Sequence, residues 1–237
     1  MPVKKKSSKR TKLPADSEAA PVAEGKRRLI EAGLRLAARG RGLSSLGLRE
    51  LGREARLNPN TFYRHFRTIE DLGLVAVEEI ARKLRLGLKE TRLGALKYAD
   101  ATRGSAEYFL EFARRNAEAF IVGVREINAG SPAMRQALRR VMDEIAAEIA
   151  DDLHAQGLGS TTGREVLLEV TTAMVDLMFY RSLEYIERPS ERRAIIDRWV
   201  RLARILFIGS SGEFEPPRAR SRPGADGRTQ PDRRGRA

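Results

Sequence analysis

Between about residue 25 and residue 208 the apolar side chains recur every three or four positions and never alternate one by one over a strand's length, so helices and not a sheet must bury them. Ile30, Leu34 and Ala37 form a first stripe, which Gly40 and Gly42 end as residues free to take positive φ. Gly33 lies on the same face, where it costs helix propensity but lets a neighbouring helix come close. Leu48, Leu51 and Ala55 mark a short second helix. Asn58-Pro59 opens a third, with Asn58 as N-cap and Pro59 in the first helical position. Thr68 caps a fourth, carried towards residue 90 by Leu72, Val75, Val77, Ile80, Leu84 and Leu88. Longer helices follow: Arg103 to Arg115, Ala117 to Asn128, and one opened by Ser131-Pro132 that ends at Gly157. Thr162-Gly163-Arg164-Glu165 matches a capping box for the next, and Pro189-Ser190 restarts the last. The expected fold class is all-α.

The formal charge of +13 would suggest a nucleic-acid footprint, but its distribution weakens that inference. Residues 1–13 supply +6 and residues 216–237 supply +5, leaving +2 for the body. Both ends are rich in Pro, Gly, Ser and like charge, so 1–22 and 212–237 are expected to be disordered basic tails that add at most sequence-independent phosphate attraction. The chain has no cysteine and only His65 and His154 as imidazoles, which argues against disulfides, thiolate chemistry and metal centres; no cofactor is expected. No run of about eighteen apolar residues could span a bilayer, and Met1 to Lys12 lacks the apolar stretch of a secretory signal, so a cytoplasmic protein without a membrane partner is expected.

Two short helices following a longer one are the helix-turn-helix arrangement, whose second member enters the major groove of DNA. At the α-helical angle Pro59, Phe62 and Phe66 share one side and must dock inward. Asn60 and Arg64 then face outward with Thr61 beside them, and these types read base edges: Asn reads adenine, Arg reads guanine, and Thr reads several. Tyr63 and His65 fall on the flanks, suited to phosphates that position without specifying. The competing reading is a small polar helix capping an ordinary bundle.

The run Thr61-Phe62-Tyr63-Arg64-His65-Phe66, preceded by Leu48-Arg49-Glu50-Leu51 and followed by Ile69-Glu70-Asp71-Leu72, resembles the TetR family of bacterial repressors over about Gly25 to Leu84. The resemblance implies a helix-turn-helix domain at 23–68 and a helical effector-binding and dimerisation domain at 69–211, joined by the long fourth helix. It also implies DNA contacts from Arg49, Asn58, Pro59, Asn60, Thr61 and Arg64, with Tyr63, His65 and Thr68 on the backbone of a palindromic operator. Two departures stand out: Arg56 occupies a turn position where glycine is usual, and Gly47 a cap where Ser or Thr is common.

Ser45-Leu46-Gly47-Leu48-Arg49-Glu50 and Asp71-Leu72-Gly73-Leu74-Val75 look like the branch of that family holding FabR and DesT, with Phe120 and Val124-Arg125-Glu126 adding to it. That likeness implies a long-chain acyl-CoA or acyl-carrier thioester as effector and control of fatty-acid synthesis genes. Phe109, Phe112, Phe120, Val124, Met142, Met174, Met178 and Phe179 are candidates to line an apolar tunnel, with ordinary core as the rival role for each; Arg125 is a candidate for an acidic headgroup, with a solvated face or a salt bridge shared with Glu126 as the rival. Two half-sites one duplex turn apart call for a homodimer. The helices near Glu165–Glu187 and Glu191–Ile208 resemble the family's dimer pair, with Leu177, Trp199, Leu202 and Leu206 as candidate contacts. Ligand would then shift the population between two spacings of the reading heads.

Three rivals oppose this picture. A nonspecific architectural DNA binder driven by its tails would show a steep salt slope and no base preference. A TetR-type regulator of an unrelated small apolar ligand would share everything but the fatty-acid role. An enzyme is not expected: Gly157-x-Gly159 with Gly163 has no preceding strand and fits no phosphate-loop spacing, and no set of nucleophile, base and orienting group stands out.

Overall fold

The computed structural model describes residues 19–94, 98–156 and 163–210, all helix and connecting turns. α1 (Ala19–Leu36) starts inside the segment expected to be tail, so 19–22 are helical; the rest of both tails lies outside the described residues. α1 runs into a π-helical turn, Ala37–Arg41, where Gly40 (φ 121°) and Gly42 (φ 63°) redirect the chain as the glycine pair foretold. A short 3-10 turn, Leu43–Ser45, leads to α2 (Leu48–Ala55). Gly47 caps α2 without a side-chain bond, and Arg56 closes it in the left-handed region at φ 53°, ψ 44°. The Arg28 guanidinium donates to the Ala55 carbonyl (2.6 Å) and the Arg56 carbonyl (3.0 Å), placing a cation at the negative end of α2.

The third helix differs from expectation in kind. Pro59–Arg64 is a 3-10 helix, with the Asn58 side chain accepting from the Asn60 N–H at 2.9 Å. α3 (Ile69–Leu93) then begins at a full capping box, Thr68 accepting from the Asp71 N–H while Asp71 accepts from that of Thr68.

Five further helices follow among the described residues: α4 (Tyr98–Arg115), α5 (Ala117–Ala129), α6 (Pro132–Ala155), α7 (Arg164–Glu187) and α8 (Arg192–Ser210). Ser131 caps α6 as read, accepting from the Met134 N–H. α7 starts from Gly163 at φ 75° with no side-chain cap bond from that residue; Thr162, expected to open a capping box, lies outside the described residues. α8 follows a 3-10 turn at Pro189–Glu191.

One continuous apolar core runs from Leu29 in α1 to Ile196 in α8. α3 is its spine, packing against α1 through Leu72, which fills the space a side chain at Gly33 would take (3.0 Å). Two polar contacts tie the N-terminal head to the body through α5. Glu126, only 7% exposed, accepts from the Leu43 N–H at 2.9 Å, and Arg125 donates to the carbonyls of Ala37 (3.1 Å) and Ala38 (2.8 Å). Lys26 and Glu79 add an α1–α3 ion pair at 2.6 Å.

Candidate nucleic-acid interface and effector cavities

The 3-10 geometry of Pro59–Arg64 decides which side chains are displayed. At three residues per turn, positions i and i+3 stack in rows, in place of the 100° spread of an α-helix. Pro59, Phe62 and His65 therefore share one row. Phe62 is 1% exposed, and the His65 ring is half-buried over Gly25 of α1, where an added methyl group would stand 3.0 Å from it; Pro59, expected to dock inward, stays exposed at the first position of the helix, beside Gly52 of α2, where an added methyl group would come within 3.2 Å of it. Phe66 follows the end of the helix at His65 and also turns in, 4% exposed, its ring 5.6 Å from that of Phe62.

The outer rows carry Asn58, Thr61 and Arg64, and beside them Asn60 and Tyr63. Asn58, Asn60, Tyr63 and Arg64 are exposed and Thr61 is half-buried. Tyr63 stands clear of the surface at 64% exposure while its ring keeps an edge-to-face contact with Phe62. Arg49 on α2 and Thr68 at the start of α3 are exposed too. The tighter period moves His65 from the flank where an α-helix puts it to a half-buried inner site. Burial there pulls its pKa below the ordinary value, and the charges of Arg64 and Lys26 push the same way. A neutral imidazole packed on α1 is what results. The Asn58 carbonyl oxygen and the Thr68 hydroxyl are both engaged in capping, so each positions a helix end as well as facing solvent.

The larger domain holds two apolar cavities of about 80 Å³ each. The first lies among α3, α4, α6, α7 and α8, with Met174, Met178 and Trp199 in its wall; the second lies among α1, α3, α5, α6 and α7, with Phe120, Met142 and Phe179 in its wall. Phe109 belongs to both. Phe112 and Val124 line neither. The Phe112 ring packs beside Tyr108 and Phe120, and Arg125 is spent on the carbonyls at the end of α1, away from both cavities. The polar members of the walls were not among the candidate ligand contacts: Arg92, Thr102, Ser105 and Thr171 in the first cavity, Glu126 in the second. Polar residues inside an apolar helical stripe were the available signal.

Leu177, Trp199 and Leu202 line a crevice between α7 and α8 within the chain, and Leu206 is half-buried. The large apolar residues most exposed on this helix pair are Ile205 (65%), Tyr180, Ile208 and Val166, none of them among the candidate dimer contacts. His154 is exposed near the end of α6.

Residues 29–76 match the family model described as bacterial regulatory proteins, tetR family. Among solved structures the chain is similar to the fatty acid degradation regulator FadR from Bacillus halodurans, at TM-score 0.63 and 12% identity over 82% of this chain and 96% of that one. A TetR-family regulator from Syntrophomonas wolfei aligns at TM-score 0.65 and 14% identity, over 79% and 96%. One from Bordetella parapertussis aligns at TM-score 0.62 and 17% identity, over 75% and 93%. At these identities the likeness is one of fold: an N-terminal helix-turn-helix head of TetR type on a larger helical domain.

Proposed function

We propose that this chain is a homodimeric, sequence-specific transcriptional repressor of TetR type that an apolar small molecule releases from its operator. The observation that carries the reading is the inward turn of Phe62 and Phe66, which leaves Asn60, Tyr63 and Arg64 exposed. Asn60, Thr61 and Arg64 enter the major groove, Arg49 contacts a base or phosphate from α2, and Asn58, Tyr63 and Thr68 hold the backbone. Dimerisation through the outer faces of α7 and α8 supplies the second head.

Release starts at the second cavity. Its wall includes Gly123 and Glu126 of α5, the helix whose Arg125 and Glu126 hold the end of α1 and Leu43. An occupant that displaces α5 therefore pulls on the head, and a coupling of about 1–3 kcal/mol weakens operator binding roughly 5- to 150-fold. For the effector, the resemblance to FabR and DesT favours a long-chain acyl thioester, its chain in the apolar cavities and its charged carrier outside. The regulators of fatty-acid metabolism are then the class to which the chain belongs.

Selection of duplexes from a random pool by the full chain, followed by footprinting, tests the reading. A palindromic site should emerge, and Arg64→Ala should lose about 1–3 kcal/mol of discrimination at a single base pair per half-site. Equal losses on selected and random duplex would instead make this a nonspecific architectural binder. Operator affinity with and without saturated and unsaturated acyl-CoA then tests the effector class, and no change with either removes the lipid assignment.

A further inference from the structure

The two cavities adjoin: Phe109, Ile145 and Val175 belong to both linings. Ile145 and Val175 are β-branched and stiff at χ1, whereas Phe109 can swing its ring about a single bond. Its ring meets that of Phe120 edge to face at 5.5 Å, a contact that a swing would trade and not simply lose. Each chamber, at about 80 Å³, is smaller than an engineered apolar cavity of about 150 Å³ that binds benzene, so a slender chain gains room by passing through both.

The chambers differ at their ends. In the first, the Ser105 hydroxyl oxygen is buried without a hydrogen-bond partner among the described residues, a state that costs stability until an acceptor arrives. Arg92 in the same wall is already paired with Asp152 at 2.6 Å, and Thr171 with the Ala146 carbonyl at 3.0 Å. The second chamber ends on Leu34, Leu43 and Glu126, where the head rests on the body.

We propose that the chambers form one bipartite site for a single-chain amphiphile, with a carbonyl or hydroxyl oxygen against Ser105 and a straight apolar chain directed past Phe109. Chain length then sets the response. Short ligands fill the first chamber and leave the head alone, while those long enough to pass Phe109 press on Leu34 and Leu43 and loosen the bond between Leu43 and Glu126. The inference rests on the larger domain being an effector domain, yet its test needs no DNA, so its failure is separable from failure of the operator reading.

Trp199, the chain's single tryptophan, lines the first chamber and reports occupancy by fluorescence. Amide hydrogen exchange at Leu43 reports the head. The full chain titrated with straight 2-alkanones from hexanone upward to tetradecanone should perturb Trp199 at every length. Leu43 exchange should rise about tenfold or more only beyond a threshold length. Ser105→Ala should weaken hexanone binding about three- to tenfold while leaving hexane binding unchanged. Phe109→Leu should lower the threshold, and the wild-type length series decides the matter if that variant fails to fold. The proposal is overturned by a Trp199 signal indifferent to every ligand, by Leu43 exchange that does not depend on length, or by Ser105→Ala affecting ketone and alkane alike.

Discussion

Arg56 holds a conformation that a side chain with a Cβ adopts at a cost of about 1–2 kcal/mol, and the Arg28 guanidinium on its carbonyl is what fixes it there. Arg56→Gly should relieve the strain and, after the added chain entropy of glycine, raise head stability by up to about 1 kcal/mol in thermal or urea unfolding. His65 makes the head sensitive to acid. Because its folded pKa is depressed, the unfolded chain takes up the proton first; stability is full above the ordinary histidine value of 6.5 and falls as the pH drops from there through the folded pKa. Urea unfolding between about pH 7.5 and pH 5 should show this slope in the wild type and lose it in His65→Gln. A pKa above 6.5 in an NMR titration of the free protein would contradict the packing of this ring on Gly25.

Helix ends were legible in the sequence because their causes are local. Asn58-Pro59, Ser131-Pro132 and Thr68 act within one turn, and the structure has each as a cap. The 3-10 winding of Pro59–Arg64 was not legible, since it is set by the contacts of Pro59 on Gly52 and His65 on Gly25, which no window of one helix contains. The same holds for α5. Arg125 and Glu126 read as a solvated pair or a headgroup site, but their partners lie 83 to 88 residues away and the sequence carries no mark of them. Met174 and Met178 reach a cavity wall, whereas Phe112 of the same aromatic set packs on Tyr108 and Phe120; one-dimensional spacing does not distinguish those two fates. Glu126→Ala would leave the buried Leu43 N–H without an acceptor, and unfolding should show a loss of about 1–3 kcal/mol. Glu126→Gln, which keeps an acceptor oxygen, should lose less; equal losses would mean that the bond to Leu43 does not tie the head.

For the whole molecule, the proposed dimer needs a surface for a second copy, and the exposed apolar residues of α7 and α8 offer one. Ile205→Asp places a charge at its most exposed member, and sedimentation equilibrium should show a monomer that keeps its helical circular dichroism while operator affinity collapses. A dimer that survives this change would move the interface elsewhere. The glycines of α3 bear on how such a dimer responds as a body. Gly73 leaves room for Leu43 of the head and Met134 of α6, where a methyl group would stand 2.8 Å and 2.5 Å from their side chains, and Gly87 seats the Tyr108 hydroxyl of α4. These two notches are keyed about 21 Å apart along one rigid rod. On the release proposed above, a disturbance at the α4 notch is carried along this one element to the notch that seats the head, as a lever carries load to its far end.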